Sequence, residues 1–170
     1  MRRVLLALGI GSAYLLAYAS VFSAGFVYED YRTVATTVAD LQPGIHPRAL
    51  TVASFAAQAG GSALAYHVPN IALHALVSIL AGYWLRRVGL SIAAAWIGAT
   101  LLLWHPLAVE AVAYVTGRAE LVAGVLAMAA CAAVSSRQSW AVAVLASMLA
   151  VLSVVGCITS EGIVTCYTQR

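Results

Sequence analysis

The sequence is poor in charged residues and contains no lysine, so every strongly basic side chain is an arginine. Charged residues make up 9% of the chain and hydrophobic residues 63%, a balance that excludes a soluble enzyme and a nucleic-acid-binding protein. The three cysteines show no spacing typical of a metal site or of a disulfide framework. We therefore expect a membrane protein that holds no metal ion and no disulfide framework.

The apolar residues form runs that are long enough to cross the core of a bilayer. These runs predict an all-α integral membrane fold, in which residues 1–170 form a single membrane domain. The predicted transmembrane helices, about five in number, cover residues 4–27, 68–85, 88–104, 119–136 and 140–158. Residues 28–67 would form one long loop on the outer side.

The distribution of charge predicts how these helices are oriented. Five of the nine arginines fall on one side of the predicted spans, and all six acidic residues fall on the other side. On one side are Arg2, Arg3, Arg86, Arg87 and Arg137, and on the other are Glu29, Asp30, Asp40, Glu110, Glu120 and Glu161. Because short cytoplasmic loops carry an excess of arginine, the N-terminus is expected in the cytoplasm and the C-terminus outside it. The alternative for the first span is a signal peptide cleaved after Ala17-Tyr18-Ala19, which would leave the other spans oriented as before.

The long outer loop contains apolar residues at helical spacing in two places, which predicts two short helices along the outer membrane surface. The residues are Val34, Val38 and Leu41 in the first helix, and Val52, Phe55, Ala56 and Ala59 in the second. The alternative is that these short helices only cover the bundle.

Polar residues at the ends of the predicted spans are the candidates for function. Glu29 and Asp30 follow the first span directly, where a carboxylate is costly unless it is solvated or paired. The alternative is that the two acids simply end a helix in water. His67, Asn70 and His74 lie at i, i+3 and i+7, which places them on one helix face, either in interhelical hydrogen bonds or along a polar cavity.

A third group of polar residues follows the third predicted span. Pro106 is expected to end that span, because proline cannot continue a helix without losing a hydrogen bond. Glu110, Tyr114 and Arg118 then recur at i, i+4 and i+8 and form a charged and aromatic face. The alternative for this face is an ion pair between Glu110 and Arg118 at the surface.

Four segments of the chain form an ordered series of short motifs. They are Phe26-Val27-Tyr28-Glu29-Asp30-Tyr31-Arg32, Arg48-Ala49-Leu50-Thr51-Val52-Ala53-Ser54-Phe55, Tyr66-His67-Val68-Pro69-Asn70 with His74-Ala75-Leu76, and His105-Pro106-Leu107-Ala108-Val109-Glu110-Ala111-Val112-Ala113-Tyr114 with Gly117-Arg118. This series resembles the N-terminal half of the tetratricopeptide-containing transmembrane O-mannosyltransferases and their bacterial relatives, which belong to the GT-C glycosyltransferase superfamily. Ser160-Glu161 is similar to a further Ser-Lys-Glu signature of that family, with the lysine absent.

The resemblance implies an enzyme that moves a sugar from a polyprenyl-phosphate lipid to an acceptor on the extracytoplasmic side, without a cofactor. It implies that Asp30 is the general base that deprotonates the acceptor hydroxyl, with Glu29 as the second candidate carboxylate. Arg48 and Arg118 would contact the phosphate of the leaving group.

Supporting roles in the same outer site follow from position and charge. The residues that would line the cavity are His105, Glu110 and Tyr114, and those that would brace the loop against the bundle are His67, Asn70 and His74. The bacterial relatives imply a bacterial inner membrane.

The chain also departs from the family pattern. The family more often has two aspartates where Glu29 and Asp30 stand, and a proline where Ala49 stands. It also has more spans, and often a C-terminal repeat domain. We therefore expect an incomplete module that works with a partner membrane protein or by self-association. The alternative is a noncatalytic membrane subunit that keeps the fold and packs in a larger complex.

Overall fold

The computed structural model describes residues 2–27, 30, 49–58, 60–106, 108–135 and 148, and every regular element among them is helical. In chain order the helices are α1 (Arg2–Ala17), α2 (Ala19–Phe22), α3 (Ala49–Ala56), α4 (Ala63–Arg87), α5 (Ile92–Leu103), α6 (Ala108–Ala113) and α7 (Arg118–Ser135), with a 3₁₀ turn at Val115–Gly117. The all-α prediction is confirmed for this part of the chain.

Two of these helices are long and apolar enough to cross a membrane. They are α4 and the stretch Val115–Val134, which contains most of α7. The prediction of five transmembrane helices is therefore not supported by the described residues. The last predicted span, residues 140–158, lies outside them except for Met148.

The first predicted span, residues 4–27, is interrupted. α1 ends at Ala17, Tyr18 departs from helical geometry with φ −98° and ψ 14°, and residues 24–27 are not helical. The rings of Tyr14 and Tyr18 lie 4.9 Å apart between centroids, and both contact the ring of His74 in α4. Hydropathy predicts an unbroken helix here because it does not include this aromatic packing, which involves residues on both sides of the break.

The second predicted span is longer than expected and the third is shorter. α4 begins after Ser62, whose hydroxyl accepts the Ala65 N–H, so the helix includes five residues before the predicted start at residue 68. α5 has only 12 residues, with Ser91 as its N-cap. At 1.5 Å per residue α5 is roughly 18 Å long, whereas the core of a bilayer is roughly 30 Å thick.

Small residues allow α4 and α5 to pack closely as an antiparallel pair. A Cβ atom on Gly82 of α4 would lie 3.0 Å from the Cβ atom of Ala99, and one on Gly98 of α5 would lie 2.7 Å from Leu85. Gly89 takes up the turn between the helices with φ +102°, a conformation that glycine adopts without steric cost. The arginines Arg86 and Arg87 stand at this turn.

The other helices pack around α4 in alternating directions. α7 runs parallel to α4, because Arg118 bonds Asn70 near the start of both helices and Gly124 faces Val77 further along. α1 runs antiparallel to α4, since Tyr14 contacts the middle of α4 and the chain then continues toward its first turn. The N-terminal ends of α4 and α7 thus lie together, opposite to the Arg86-Arg87 turn.

Candidate functional site

Buried polar side chains gather where α4 and α7 begin. We call Arg118 and the four residues that accept its hydrogen bonds the Arg118 cluster, which consists of Ser54, Gln58, Tyr66, Asn70 and Arg118. Arg118 is only 1% exposed, and Tyr66 and Asn70 are fully buried. A buried guanidinium is costly unless its N–H groups are satisfied, so the geometry around Arg118 decides what this cluster does.

Arg118 donates hydrogen bonds to two parts of the chain, α4 and the segment that contains α3. Its Nε–H bonds the Oδ1 atom of Asn70 at 2.9 Å, and its Nη2 atom bonds the Tyr66 carbonyl at 2.5 Å. Its Nη1 atom donates to the Ser54 hydroxyl at 3.2 Å and to the Gln58 side-chain oxygen at 2.5 Å. Four of the five guanidinium N–H groups therefore have acceptors, and the acceptors that the described residues supply are all neutral.

The short helix α3 docks on this arginine. The guanidinium carbon of Arg118 lies 4.4 Å from the centroid of the Phe55 ring, which suits a cation–π contact. Phe55 is 2% exposed, and its ring centroid lies 6.1 Å from that of Tyr66. Because α3 has only 8 residues, it is too short to be stable alone and depends on these contacts.

Pro69 explains why Gln58 fits between α3 and α4. A proline has no N–H group, so Pro69 leaves the carbonyl of Ala65 without its usual partner within α4. The side-chain amide of Gln58 donates to that carbonyl at 2.6 Å, while its oxygen accepts from Arg118. Gln58 therefore satisfies a helix carbonyl and a buried arginine with the two ends of one amide group.

Asp30 lies buried beside the start of α7. Its side chain is 1% exposed, and its Oδ1 atom accepts the N–H of Thr116 at 3.2 Å. Its Oδ2 atom accepts the N–H of Val27 at 3.3 Å, and the Asp30 N–H donates back to the Val27 carbonyl. Backbone N–H groups from two segments that are distant in sequence thus hold the carboxylate, and they stabilise its negative charge.

Several buried polar atoms near the Arg118 cluster make no hydrogen bond of ordinary geometry within the part of the chain that the structure describes. They are both ring nitrogens of His67, the hydroxyl of Tyr66 and the hydroxyl of Thr51. The His67 ring is within electrostatic range of both Asp30 and Arg118, although neither ring nitrogen makes a hydrogen bond of ordinary geometry. Such orphan groups are rare in native interiors and indicate a place where water or a ligand hydroxyl is accepted.

The predicted polar face of α4 is present and buried. His67, Asn70 and His74 are at most 3% exposed and lie on the inner side of the helix. Asn70 donates its amide to the Tyr114 carbonyl at 2.8 Å while it accepts from Arg118, so it makes the interhelical hydrogen bonds that the pattern indicates. The Nδ1 atom of His74 lies 3.3 Å from the Tyr14 hydroxyl, which joins α4 to α1.

The residues predicted after α5 contribute in different ways. His105, Glu110 and Tyr114 have exposed side chains, and only the Tyr114 backbone carbonyl contacts the Arg118 cluster. The alternative ion pair between Glu110 and Arg118 is absent, because Arg118 turns inward to neutral acceptors. Gly117 closes the 3₁₀ turn directly before α7.

Some predicted site residues lie outside the described part of the chain. Glu29 and Arg48 are among them, as is the first of the two predicted short helices, near residues 34–41. The second predicted short helix corresponds to α3. Among the described residues there is no group of three or more histidine, cysteine, aspartate or glutamate side chains that could hold a metal ion.

Sequence reasoning missed the polar residues of α3. Thr51, Ser54 and Gln58 lie at i, i+3 and i+7, the same spacing as the polar face of α4, and all three are at least partly buried. The polar spacing is visible in the sequence, but the prediction of this helix used only its apolar residues, among them Val52, Phe55 and Ala56. Residues at this spacing share one side of a helix, and Ser54 and Gln58 both bond Arg118.

The site can hold a carboxylate, stabilise it and place it near a buried imidazole and a buried arginine. That arrangement suits proton abstraction from a hydroxyl, and it equally suits a purely structural polar core. Comparisons of the chain with protein-family models, with curated proteins and with solved structures gave no match.

Proposed function

We propose that this chain is a GT-C-like membrane module for the transfer of a sugar from a polyprenyl-phosphate lipid to an acceptor on the extracytoplasmic side. The observation that supports it best is that all four motif segments meet at one place. Asp30, Ser54, Asn70 and Arg118 come from different segments. Arg118 bonds Ser54 and Asn70, and Asp30 accepts the N–H of Thr116, two residues before Arg118.

In this proposal Asp30 is the general base. Its carboxylate takes the proton from an acceptor hydroxyl, the acceptor oxygen forms a bond to the anomeric carbon, and the bond from that carbon to the lipid phosphate breaks. The phosphate leaves with the electron pair of that bond. The two backbone N–H groups at Asp30 keep the carboxylate oriented before the proton is taken.

The roles of the two candidate phosphate-binding arginines differ in this proposal. Arg118 has four of its N–H groups occupied by protein acceptors, so it positions α3, α4 and α7 around the site. A bidentate contact to phosphate needs two free N–H groups on one face of the guanidinium. The phosphate contact is therefore assigned to Arg48.

The placement in the membrane follows from charge. Arg86 and Arg87 are exposed at one end of the bundle, and the buried Asp30 and Arg118 lie at the other end. If the arginine-rich end faces the cytoplasm, the polar site opens on the opposite side, where a water-exposed acceptor arrives. We propose a bacterial inner membrane as the location, and a partner membrane protein or a second copy to complete the lipid groove.

The test is purification of the tagged chain in a mild detergent, followed by mass spectrometry of the lipids and proteins that purify with it. We expect a polyprenyl-phosphate sugar in the wild-type sample, and turnover of that lipid in the presence of a hydroxyl acceptor. Asp30→Asn should keep the lipid and abolish turnover. Glu120→Gln, which removes an exposed carboxylate in the first turn of α7, is the matched control. Turnover by Asp30→Asn at the wild-type rate would exclude the proposed base.

A noncatalytic membrane subunit is the second candidate. It is favoured by the complete burial of Asp30 and Arg118, whose polar atoms have protein partners as expected for a structural brace. The same purification distinguishes the two candidates. Recovery at a fixed ratio with another membrane protein, without a polyprenyl-phosphate lipid, would favour the subunit.

A further inference from the structure

The contacts that hold α3 differ from those that hold the long helices. α3 and the residues directly after it dock through one aromatic ring, Phe55, and through three hydrogen bonds. Gln58 donates one of them to the Ala65 carbonyl, and Arg118 donates the other two, to Ser54 and Gln58. Both acceptors are neutral, so these bonds lack the full attraction of an ion pair. The α4–α7 interface, by contrast, runs along the length of both helices.

Two buried hydroxyl groups at docked α3 have no partner among the residues that the structure describes. They are the Thr51 hydroxyl on α3 and the Tyr66 hydroxyl below it. Each orphan group loses its hydration when α3 is docked and regains it when α3 moves away. The two unpartnered hydroxyl groups therefore lower the stability of the docked position of α3.

The connection from α3 to α4 can absorb such a movement. Gly60 has φ +78°, and Gly61 and Ser62 follow it before α4 begins. A hinge consists of a few residues that take up large changes in φ and ψ, and two adjacent glycines suit that role.

We infer that α3 is a lid over the polar site, and that Arg118 is the latch that holds it closed. The closed lid covers Arg118 and Tyr66, which are at most 1% exposed. Under the proposed function, access of an acceptor to the buried Arg118 cluster requires the lid to open. The latch acts in the same way in a noncatalytic subunit, because it depends only on the contacts of α3.

The test is hydrogen–deuterium exchange of the full-length protein in detergent micelles, read by mass spectrometry. In the wild type, the amides of α3 should exchange through an opening that leaves α4 and α7 protected. Gln58→Ala removes the strongest latch contact and should speed exchange in α3 by about tenfold or more, with no change in α4 and α7. Leu50→Ala, at a half-exposed position of the same helix, is the matched control and should leave the α3 rate near that of the wild type.

A second measurement reads the opening directly. With the native cysteines replaced by alanine, the buried thiol of Thr51→Cys should react slowly with a maleimide, and about tenfold faster when Gln58→Ala is added. Exchange of α3 in step with α4 and α7, in the wild type and in Gln58→Ala alike, would overturn the lid. Loss of sugar transfer with lid opening intact would count against the proposed function and leave the lid standing.

Discussion

Gly117 stands where the 3₁₀ turn meets α7, and its lack of a side chain allows the backbone of Ala111 to approach. A Cβ atom at this position would lie 2.7 Å from the Ala111 Cα atom and 2.8 Å from its carbonyl carbon, and still closer to the carbonyl oxygen. The backbone cannot move aside as a flexible side chain can. The next residue is Arg118, so a shift here would also displace the latch.

Gly117→Ala is therefore expected to lower the stability of the protein by about 1–3 kcal/mol, through overpacking against the Ala111 backbone. The measurement is the midpoint of thermal unfolding in detergent, followed by size-exclusion chromatography after heating. Gly25→Ala is the control, because a Cβ built at Gly25 meets no atom of the described residues within 4 Å, apart from its two chain neighbours. Equal midpoints for the two variants would show that the Ala111 contact relaxes at no cost.

Asn70 serves two partners with one side chain. It accepts from the Nε–H of Arg118 and donates to the carbonyl of Tyr114, and it is fully buried. Removal of the amide leaves a charged donor and a carbonyl without these partners in the buried cluster. The cost of an unsatisfied buried group exceeds the net gain of the hydrogen bond that satisfied it.

We expect Asn70→Ala to destabilise the protein by about 3 kcal/mol, since both orphan groups contribute. Unfolding by sodium dodecyl sulfate, followed by circular dichroism, would measure the loss. Leu76→Ala, at a position on the same helix that is 40% exposed, should cost far less. A smaller loss for Asn70→Ala than for Leu76→Ala would mean that Arg118 finds another acceptor.

At the scale of elements, α4 depends on contacts from outside the helix to tolerate its proline. Pro69 leaves the Ala65 carbonyl without a partner within α4, and the Gln58 side chain, just after the end of α3, donates to it. The proline in α4 therefore makes the Ala65 carbonyl available to the segment that contains α3. The proline was visible as part of a motif, but its effect on α3 depends on the distance between the two helices in the folded protein.

Pro69→Ala should affect the two helices in opposite directions. The new N–H group can bond the Ala65 carbonyl within α4, which stabilises that helix and competes with Gln58. We expect slower amide exchange around residue 69 and about tenfold faster exchange in α3. Pro106→Ala, which lies between α5 and α6, is the control and should not change α3. An unchanged α3 rate in Pro69→Ala would show that the Gln58–Ala65 bond does not hold the lid.

At the scale of the whole molecule, charge and exposed apolar surface suggest how the bundle sits in a bilayer. Leu16, Leu101 and Val134 are 75%, 67% and 66% exposed on different helices, as expected for side chains that face lipid or a partner. The antiparallel α4–α5 pair places the Arg86-Arg87 turn and residue 109 at opposite ends. Because α5 has only 12 residues, it is shorter than the core of a bilayer is thick. The side of the membrane on which residue 109 lies therefore tests the proposed orientation.

Single cysteines at two equally exposed positions would report that orientation. With the native cysteines replaced, Val109→Cys should react with a membrane-impermeant maleimide added to intact cells, and Val88→Cys only after the cells are permeabilised. Val109 and Val88 are 49% and 50% exposed, so a difference in labelling reflects the side of the membrane. Labelling of both cysteines from the same side would mean that the α4–α5 pair does not cross the bilayer in the proposed way.

Helical content, the polar face of α4 and the turn at Arg86-Arg87 could be predicted from the sequence, because each depends on residues that are close along the chain. Hydropathy and side-chain spacing act within a few turns of helix, which is the range where such patterns are informative. The ends of the helices were less predictable. A hydropathy window does not include side-chain contacts or caps. These determine the break at Tyr18, the early start of α4 and the short length of α5.

The composition of the site was decided by the tertiary structure. Arg118 bonds Asn70, Gln58 and Ser54, which lie 48, 60 and 64 residues away in sequence. The sequence showed that the Asp30 carboxylate needs solvent or a partner at the end of a span, but it did not show that Arg118 is buried. It does not show which of several amides and hydroxyls will satisfy them, because that choice depends on how closely packed helices bring distant residues together.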